Sequence, residues 1–276
     1  MGAPAKLGVI GSGKMAEALL RGWFAAGKLT PHSVVAADPD RARRELFEAD
    51  LGVGVTADSA KAARGAEALL IAVKPQDLTE ACRPVAEAAP KKTLVISIAA
   101  GVTLAELEAL LGAGRPIVRV MPNIAHTVQE GAAGLCGNAM CSAEQMEWVL
   151  ELFGSIGLAQ KVDEELMDAV TGLSGSGPAF VAVFLEALAD GGVAAGLPRS
   201  LAMALAAQTA LGTAKCVLQG HRPGELKELV ASPGGTTIAG LRAVEAGGLR
   251  SAVMEAIIAA TEQSRELGER KRRGKS

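Results

Sequence analysis

The chain contains no tyrosine, and aromatic residues make up only 3% of its 276 positions. Without tyrosine, the Tyr/Lys proton donor of short-chain dehydrogenases is excluded. Hydrophobic residues still reach 49%, so the interior must be built from Ala, Val, Leu and Ile. Cysteine is sparse as well. Cys82, Cys136, Cys141 and Cys216 are scattered, with no Cys-x-x-Cys spacing. That excludes a disulfide frame or zinc site and fits reduced thiols in a cytosolic protein. A formal net charge of −2 gives no general attraction for nucleic acid or an anionic membrane. The basic end, Glu269–Lys275, reads as a solvated, frayed tail. No secretory or transit segment precedes the first apolar run. No apolar run is read as reaching the roughly 20 residues that span a bilayer. The expectation is a soluble, cytoplasmic protein with neither nucleic acid nor membrane as a partner.

What is present begins with Leu7–Trp23, LGVIGSGKMAEALLRGW. Leu7 to Ile10 read as a short strand buried on both faces. Gly11-Ser12-Gly13-Lys14-Met15-Ala16 follows, and then Met15, Leu19, Leu20 and Trp23 recur at helical spacing. This is the strand, turn and helix that holds a dinucleotide pyrophosphate. Gly11 permits the tight turn, and Gly13 lets backbone approach the phosphates. Ala16 is the small residue where helix and strand pack, and the N–H groups of the first helical turn face the anion.

Strand and helix patterns then alternate. Ser33–Ala37, Val53–Val55, Ala68–Val73, Leu94–Ile98, Ile117–Val120 and an edge strand Leu158–Val162 read as strands. Between them Arg41–Ala49, Leu104–Leu111 and Ala143–Phe153 read as helices, and Pro75 suits a helix start. Thr103 with Glu106, and Ser142 with Gln145, form capping boxes. The alternation predicts a doubly wound α/β domain over residues 1–162, with a parallel sheet covered on both faces. Its ligands belong at the carboxyl ends of the strands. Asp38 lies about 20 residues past the glycines, where a carboxylate bonds the adenosine ribose and disfavours a 2′-phosphate. Arg41, Arg43 and Arg44 stand near it as phosphate partners. NAD and NADP both stay open, and so does a plain helix-cap role for Asp38. Lys74 is either a cofactor contact or a surface charge. Asn123, after Met121-Pro122, sits at the same rim, where it can bond a carboxamide or a substrate.

From residue 163 to 276 helical patterns take over: Glu164–Val170, Ala179–Ala195, Ser200–Gln219, Gly224–Ala231, Thr236–Ala246 and Arg250–Leu267. Pro178, Pro198 and Pro223 stand just inside helix starts. Ala179–Ala195 and Leu201–Leu211 are apolar almost all round and need enclosure. About 110 residues do not enclose several such helices alone, so a second subunit is predicted to cover them. Two Gly/Ser-rich stretches, Thr171–Pro178 and Ser232–Ile238, each precede a helix start and offer backbone donors to an anion or merely turn the chain. The second clusters the hydroxyls of Ser232, Thr236 and Thr237 and suits a small carboxylate.

Taken together, these stretches resemble the pyrroline-5-carboxylate reductase family over nearly the whole chain. The matching residues are Gly11–Ala16, Val73-Lys74-Pro75, Ser97–Val102, Met121-Pro122-Asn123, Thr171–Ala179 and Ser232–Ile238. The last motif is the most specific of them. The resemblance implies a Rossmann domain followed by an all-helical dimerisation domain, and reduction of L-1-pyrroline-5-carboxylate to L-proline by NADPH or NADH. It implies cofactor contacts from Ile10, Gly11, Ser12, Gly13, Lys14, Met15, Asp38, Ser59, Val73, Lys74, Ala99 and Ala100. It implies a substrate held by Ser232, Gly234, Gly235, Thr236 and Thr237 between the subunits of a homodimer, which in this family often assembles further into rings of dimers. Asp38 departs from the pattern, since relatives often carry a small or hydroxyl residue there.

The residues offer no good general acid. His32 and His221 lie in a loop and a turn, and only His126, beyond Asn123, stays in view. A cyclic imine removes that need, because its nitrogen carries a proton before hydride arrives. Thr237 is then the hydroxyl to bond the ring nitrogen, and the N–H groups of Gly235 to Thr237 the donors to the carboxylate. A β-hydroxyacid dehydrogenase shares the two-part layout, but its lysine acid/base would have to be Lys215 or Lys227, at the wrong spacing from Thr171–Pro178. A catalytically silent nucleotide-sensing dimer is the third reading.

Overall fold

The computed structural model describes residues 6–272. Its N-terminal elements are β1 (Leu7–Ile10), α1 (Lys14–Ala25), β2 (Val34–Ala37), α2 (Arg41–Leu51), β3 (Gly54–Thr56), α3 (Ser59–Ala63), β4 (Ala68–Ile71), α4 (Leu78–Ala88) and β5 (Leu94–Ser97). Then come α5 (Leu104–Leu111), β6 (Ile117–Met121), β7 (Gly131–Gly137), α6 (Ala143–Gly154), β8 (Gly157–Lys161) and α7 (Met167–Val170). The helical remainder is α8 (Gly177–Ala194), α9 (Arg199–Leu218), α10 (Pro223–Val230), α11 (Thr236–Ala246) and α12 (Leu249–Arg272). Both expected capping boxes are formed, at Thr103/Glu106 and Ser142/Gln145. Pro198 was expected just inside its helix start and instead stands one place outside it, as the cap residue at φ −59° and ψ 141°.

The sheet runs in the order β3-β2-β1-β4-β5-β6-β7-β8. Its first six strands are parallel and follow the doubly wound order of dinucleotide folds. One strand corrects the expectation of an all-parallel sheet: β7 pairs antiparallel with β6, and the edge strand β8 then pairs parallel with β7. Successive residues of each strand face opposite sides. Leu7, Val9, Leu70, Ile96 and Val118 join Leu19, Leu20 and Trp23 of α1 and Phe153 of α6 in one core. Ile10, Leu69, Ile71, Val95 and Ile117 join residues of α3, α4 and α5 in the other. Each fully buried Leu, Ile or Phe contributes about 1.5–3 kcal/mol, so aliphatic residues on two faces suffice where aromatics are few.

The chain divides into two compact units, one of residues 1–176 with 260–276, the other of residues 177–259. The first therefore holds α7 and the end of α12 as well as the sheet. The Ser264 hydroxyl donates to Asp168 at 2.7 Å within it. The basic end at Glu269–Lys275 is helical to Arg272, and its remainder lies outside the described residues.

In the second unit α8 buries only Ala189, and α9 only Ala202 and Ala206. Val183, Phe184, Leu201 and Leu205 are exposed. The expectation that no apolar run reaches membrane-spanning length is corrected here. Glu164–Ala194 and Arg199–Leu218 are both long and apolar enough by length and composition. The first reaches that length because the Gly/Ser stretch before α8 does not interrupt it.

Candidate active site

The loops that follow β2, β1, β4 and β5 leave the same edge of the sheet in neighbouring positions, because those parallel strands are hydrogen-bonded in that order. Gly11 leaves β1 at φ +95°, and its N–H donates to the Ala37 carbonyl at 2.8 Å. A Cβ there would meet Val73 Cγ1 at 2.9 Å and the Ala72 carbonyl at 3.0 Å, so only glycine fits. Gly11→Val should raise the dissociation constant of a nicotinamide nucleotide by about tenfold or more, given a strain of about 1–3 kcal/mol in this backbone region. Titration followed by nucleotide fluorescence checks it, with circular dichroism confirming the fold.

Gly13 is the cap of α1, and there is no side-chain cap bond to the first turn among the described residues. Those groups and the helix dipole favour an anion. Ser12 is fully buried, and its Oγ has no partner among the described residues. A buried hydroxyl left unpaired is costly, and it fits a site completed by a phosphate oxygen. The residues therefore suit a bound dinucleotide.

Asp38 ends β2. Its Oδ2 accepts the Ser12 N–H at 2.6 Å and its Oδ1 the Asp40 N–H at 2.9 Å. Asp40, not Asp38, caps α2, accepting from the Ala42 N–H at 2.8 Å, which sets the cap role of Asp38 aside. Ser59 opens α3 behind its cap Asp58. Lys74 is exposed and caps a 3-10 turn, Pro75–Asp77, rather than an α-helix. Ala99 is buried and Ala100 exposed beyond β5. The Asn123 amide oxygen is already committed, accepting from Ala125 at 3.2 Å and Ala132 at 3.1 Å. It fixes the turn into β7.

His126 is corrected as an acid. It is fully buried, its ring stands edge-on to Phe153 at 6.0 Å, and its Nε2 has no partner among the described residues. Burial holds its pKa below the ordinary value, against a raising contribution from the Asn123 backbone. It is a neutral, packed imidazole. Cys82 and Cys136 are pushed up to about 11, chiefly by burial, and all four cysteines are free thiols.

The two Gly/Ser stretches part company. Thr171–Gly175 is π-helical, and the Thr171 and Ser174 hydroxyls bond the Met167 and Val170 carbonyls at 2.8 and 2.9 Å. The Ser176 N–H donates to the Thr171 carbonyl at 2.9 Å. This stretch is no open turn, and its donors are largely used within the helix. Ser232–Gly235 is a turn outside the helices, with Gly235 capping α11 and no side-chain cap bond. The Gly235 N–H, expected to be free, donates to the Ser232 carbonyl at 3.0 Å. The N–H groups of Thr236 and Thr237 remain at the exposed end of the helix. Beside the turn a cleft of about 820 Å3 is lined by Lys227, Arg242 and Ile238 among others.

Sequence reasoning missed Glu17, and it placed Arg43 beside Asp38 as a phosphate partner, not as a brace of the glycine turn. Arg43 donates to the Ser12 carbonyl at 2.5 Å and to Glu17 at 3.0 Å. Only the i,i+4 pair of Glu17 and Arg21 on α1 signalled that Glu17 organises cations.

A glycine turn, a carboxylate pinned beside it and a doubly wound sheet give the layout of a dinucleotide-binding domain, and comparison with known proteins makes the class an NAD(P)-dependent oxidoreductase. A family profile described as "NADP oxidoreductase coenzyme F420-dependent" matches residues 6–101, and one described as "Pyrroline-5-carboxylate reductase dimerisation" matches 164–267. A curated pyrroline-5-carboxylate reductase of Methanosarcina acetivorans is 47% identical over 96% of this chain and 98% of its own. The solved pyrroline-5-carboxylate reductase of Coxiella burnetii superposes with a TM-score of 0.90 at 32% identity, covering 96% of this chain and 98% of that one. The Plasmodium falciparum enzyme, solved with NADP bound, gives 0.86 at 32% identity over the same shares. The chain belongs to the pyrroline-5-carboxylate reductase family. Its helical half is a dimerisation domain, which accounts for the bare apolar faces of α8 and α9.

Proposed function

We propose that the chain reduces L-1-pyrroline-5-carboxylate to L-proline with NADPH or NADH. The full-length identity to curated reductases carries this reading, and the uncapped start of α11 behind Ser232–Gly235 supports it. The bound dinucleotide supplies hydride. Ile10 to Met15, Asp38, Ser59, Val73, Lys74, Ala99 and Ala100 form the rim that binds it, with Asn123 fixing the neighbouring turn. The N–H groups of Thr236 and Thr237 take the substrate carboxylate, and Ser232, Gly234 and Gly235 shape the turn around it. The Thr237 hydroxyl accepts a hydrogen bond from the protonated ring nitrogen and orients C5. No protein acid is required, because the imine arrives protonated, in keeping with a chain that lacks tyrosine and buries His126.

The helical domain joins two chains into a homodimer, and dimers assemble into a ring. The free thiols suit a cytoplasmic location. Initial rates of NAD(P)H oxidation test the activity. Pyrroline-5-carboxylate should turn over, and a 3-hydroxy acid assayed in reverse should not. Turnover of the hydroxy acid alone would point to a β-hydroxyacid dehydrogenase, and turnover of neither to a silent sensor.

A further inference from the structure

We infer that this chain selects NADH over NADPH, through the charge of Asp38 and through Glu17, which holds Arg43 out of reach of a 2′-phosphate. The inference rests on the reading that the glycine turn binds a nicotinamide dinucleotide. Asp38 is pinned at the end of β2 by two backbone donors, Ser12 at 2.6 Å and Asp40 at 2.9 Å. Its carboxylate therefore stands fixed beside the glycine turn, where it accepts ribose hydroxyls and repels a phosphate.

Three arginines lie close in sequence, and each is already engaged. Arg43 donates its Nε to the Ser12 carbonyl at 2.5 Å, pairs with Glu17 at 3.0 Å, and lies 5.5 Å over the Phe47 ring. Arg44 donates one nitrogen to two carbonyls, Asp38 at 2.7 Å and Pro39 at 2.8 Å. Arg41 pairs with Glu45 at 2.7 Å. That last pair is mostly exposed, and such pairs hold weakly. The firm obstacles are thus Asp38 and the Glu17–Arg43 pair. Although burial opposes its charge, Glu17 is held below the usual carboxylate range by its bonds to Arg21 and Arg43, so the pair persists at neutral pH.

A phosphate needs a cation free to form a fork of hydrogen bonds. Here the best-placed guanidinium is used to brace the turn itself. Glu17 is a positioning residue: it acts on cofactor choice only through Arg43.

The test is direct binding of NADH and NADPH to the full-length protein, read by nicotinamide fluorescence without substrate. The unaltered protein should bind NADH about tenfold or more tightly than NADPH, the scale of one close charge contact. Asp38→Asn keeps an acceptor for the Ser12 N–H and removes the charge, so it should narrow that ratio while the fold is retained. Asp38→Ser together with Glu17→Gln should carry the ratio further toward NADPH than Asp38→Ser alone. Equal or tighter binding of NADPH by the unaltered protein overturns the inference. An unmoved ratio in Asp38→Asn overturns the role of Asp38, and identical single and double variants overturn that of Glu17. If neither nucleotide binds, the dinucleotide reading itself falls.

Discussion

Phe184→Glu should leave the protein unable to assemble and without reductase activity. Phe184 is 42% exposed on α8, beside Val183 at 65%, with Leu201 at 46% and Leu205 at 50% on α9. Covering a side chain of this size contributes about 1.5–3 kcal/mol, and a symmetric interface counts every residue twice. A glutamate there loses that contribution and adds the cost of an unpaired buried charge, several kcal/mol per site. Two such sites per dimer exceed what an interface of ordinary affinity tolerates. Sedimentation velocity should show monomer at concentrations where the unaltered protein is fully assembled, and Phe184→Leu should retain the assembly. An intact dimer in the glutamate variant would mean that this face of α8 is not what the partner subunit covers.

Thr237→Ala should lower kcat by about 10- to 100-fold and leave nucleotide affinity unchanged. A hydrogen bond between a hydroxyl and a charged partner is worth about 1.5–3 kcal/mol, and about 1.4 kcal/mol is a factor of ten. Thr237 is half-buried in the first turn of α11, whose cap residue Gly235 offers no side chain of its own. In the proposed arrangement, losing its hydroxyl removes the group that orients the ring nitrogen, while the backbone donors to the carboxylate survive. The loss therefore falls on kcat more than on KM. Thr237→Ser should recover most of the rate. An alanine variant with undiminished turnover would remove Thr237 from the reaction.

Much of this was legible in the residues because the signals were local. The glycine turn, both capping boxes and the bounds of α11 depend on neighbours within a few positions. β7 was not legible. Its sequence, GAAGLCG, shows neither alternation nor β-branched residues. Its glycines serve other elements: a Cβ on Gly131 would run into the His126 ring, one on Gly134 would meet Val170 at 2.8 Å, and one on Gly137 would meet Met146 at 2.6 Å. A strand thinned to admit neighbouring side chains looks like a loop until those neighbours are known. The same holds for Thr171–Gly175, where composition suggests a turn and wide-pitched helical bonds absorb the glycines. At the site, Asp38 was visible by spacing, but the arginine brace and Glu17 depend on contacts across 26 to 31 positions.

The sharing of α12 between the two units bears on how the protein is made. The sheet-bearing unit starts at β1, yet it also includes the chain from Ala260 onward, where Ser264 meets Asp168. Domains ordinarily fold in turn as they leave the ribosome. Here the sheet-bearing unit cannot finish its own packing until Ser264, 96 positions after Asp168, has been translated.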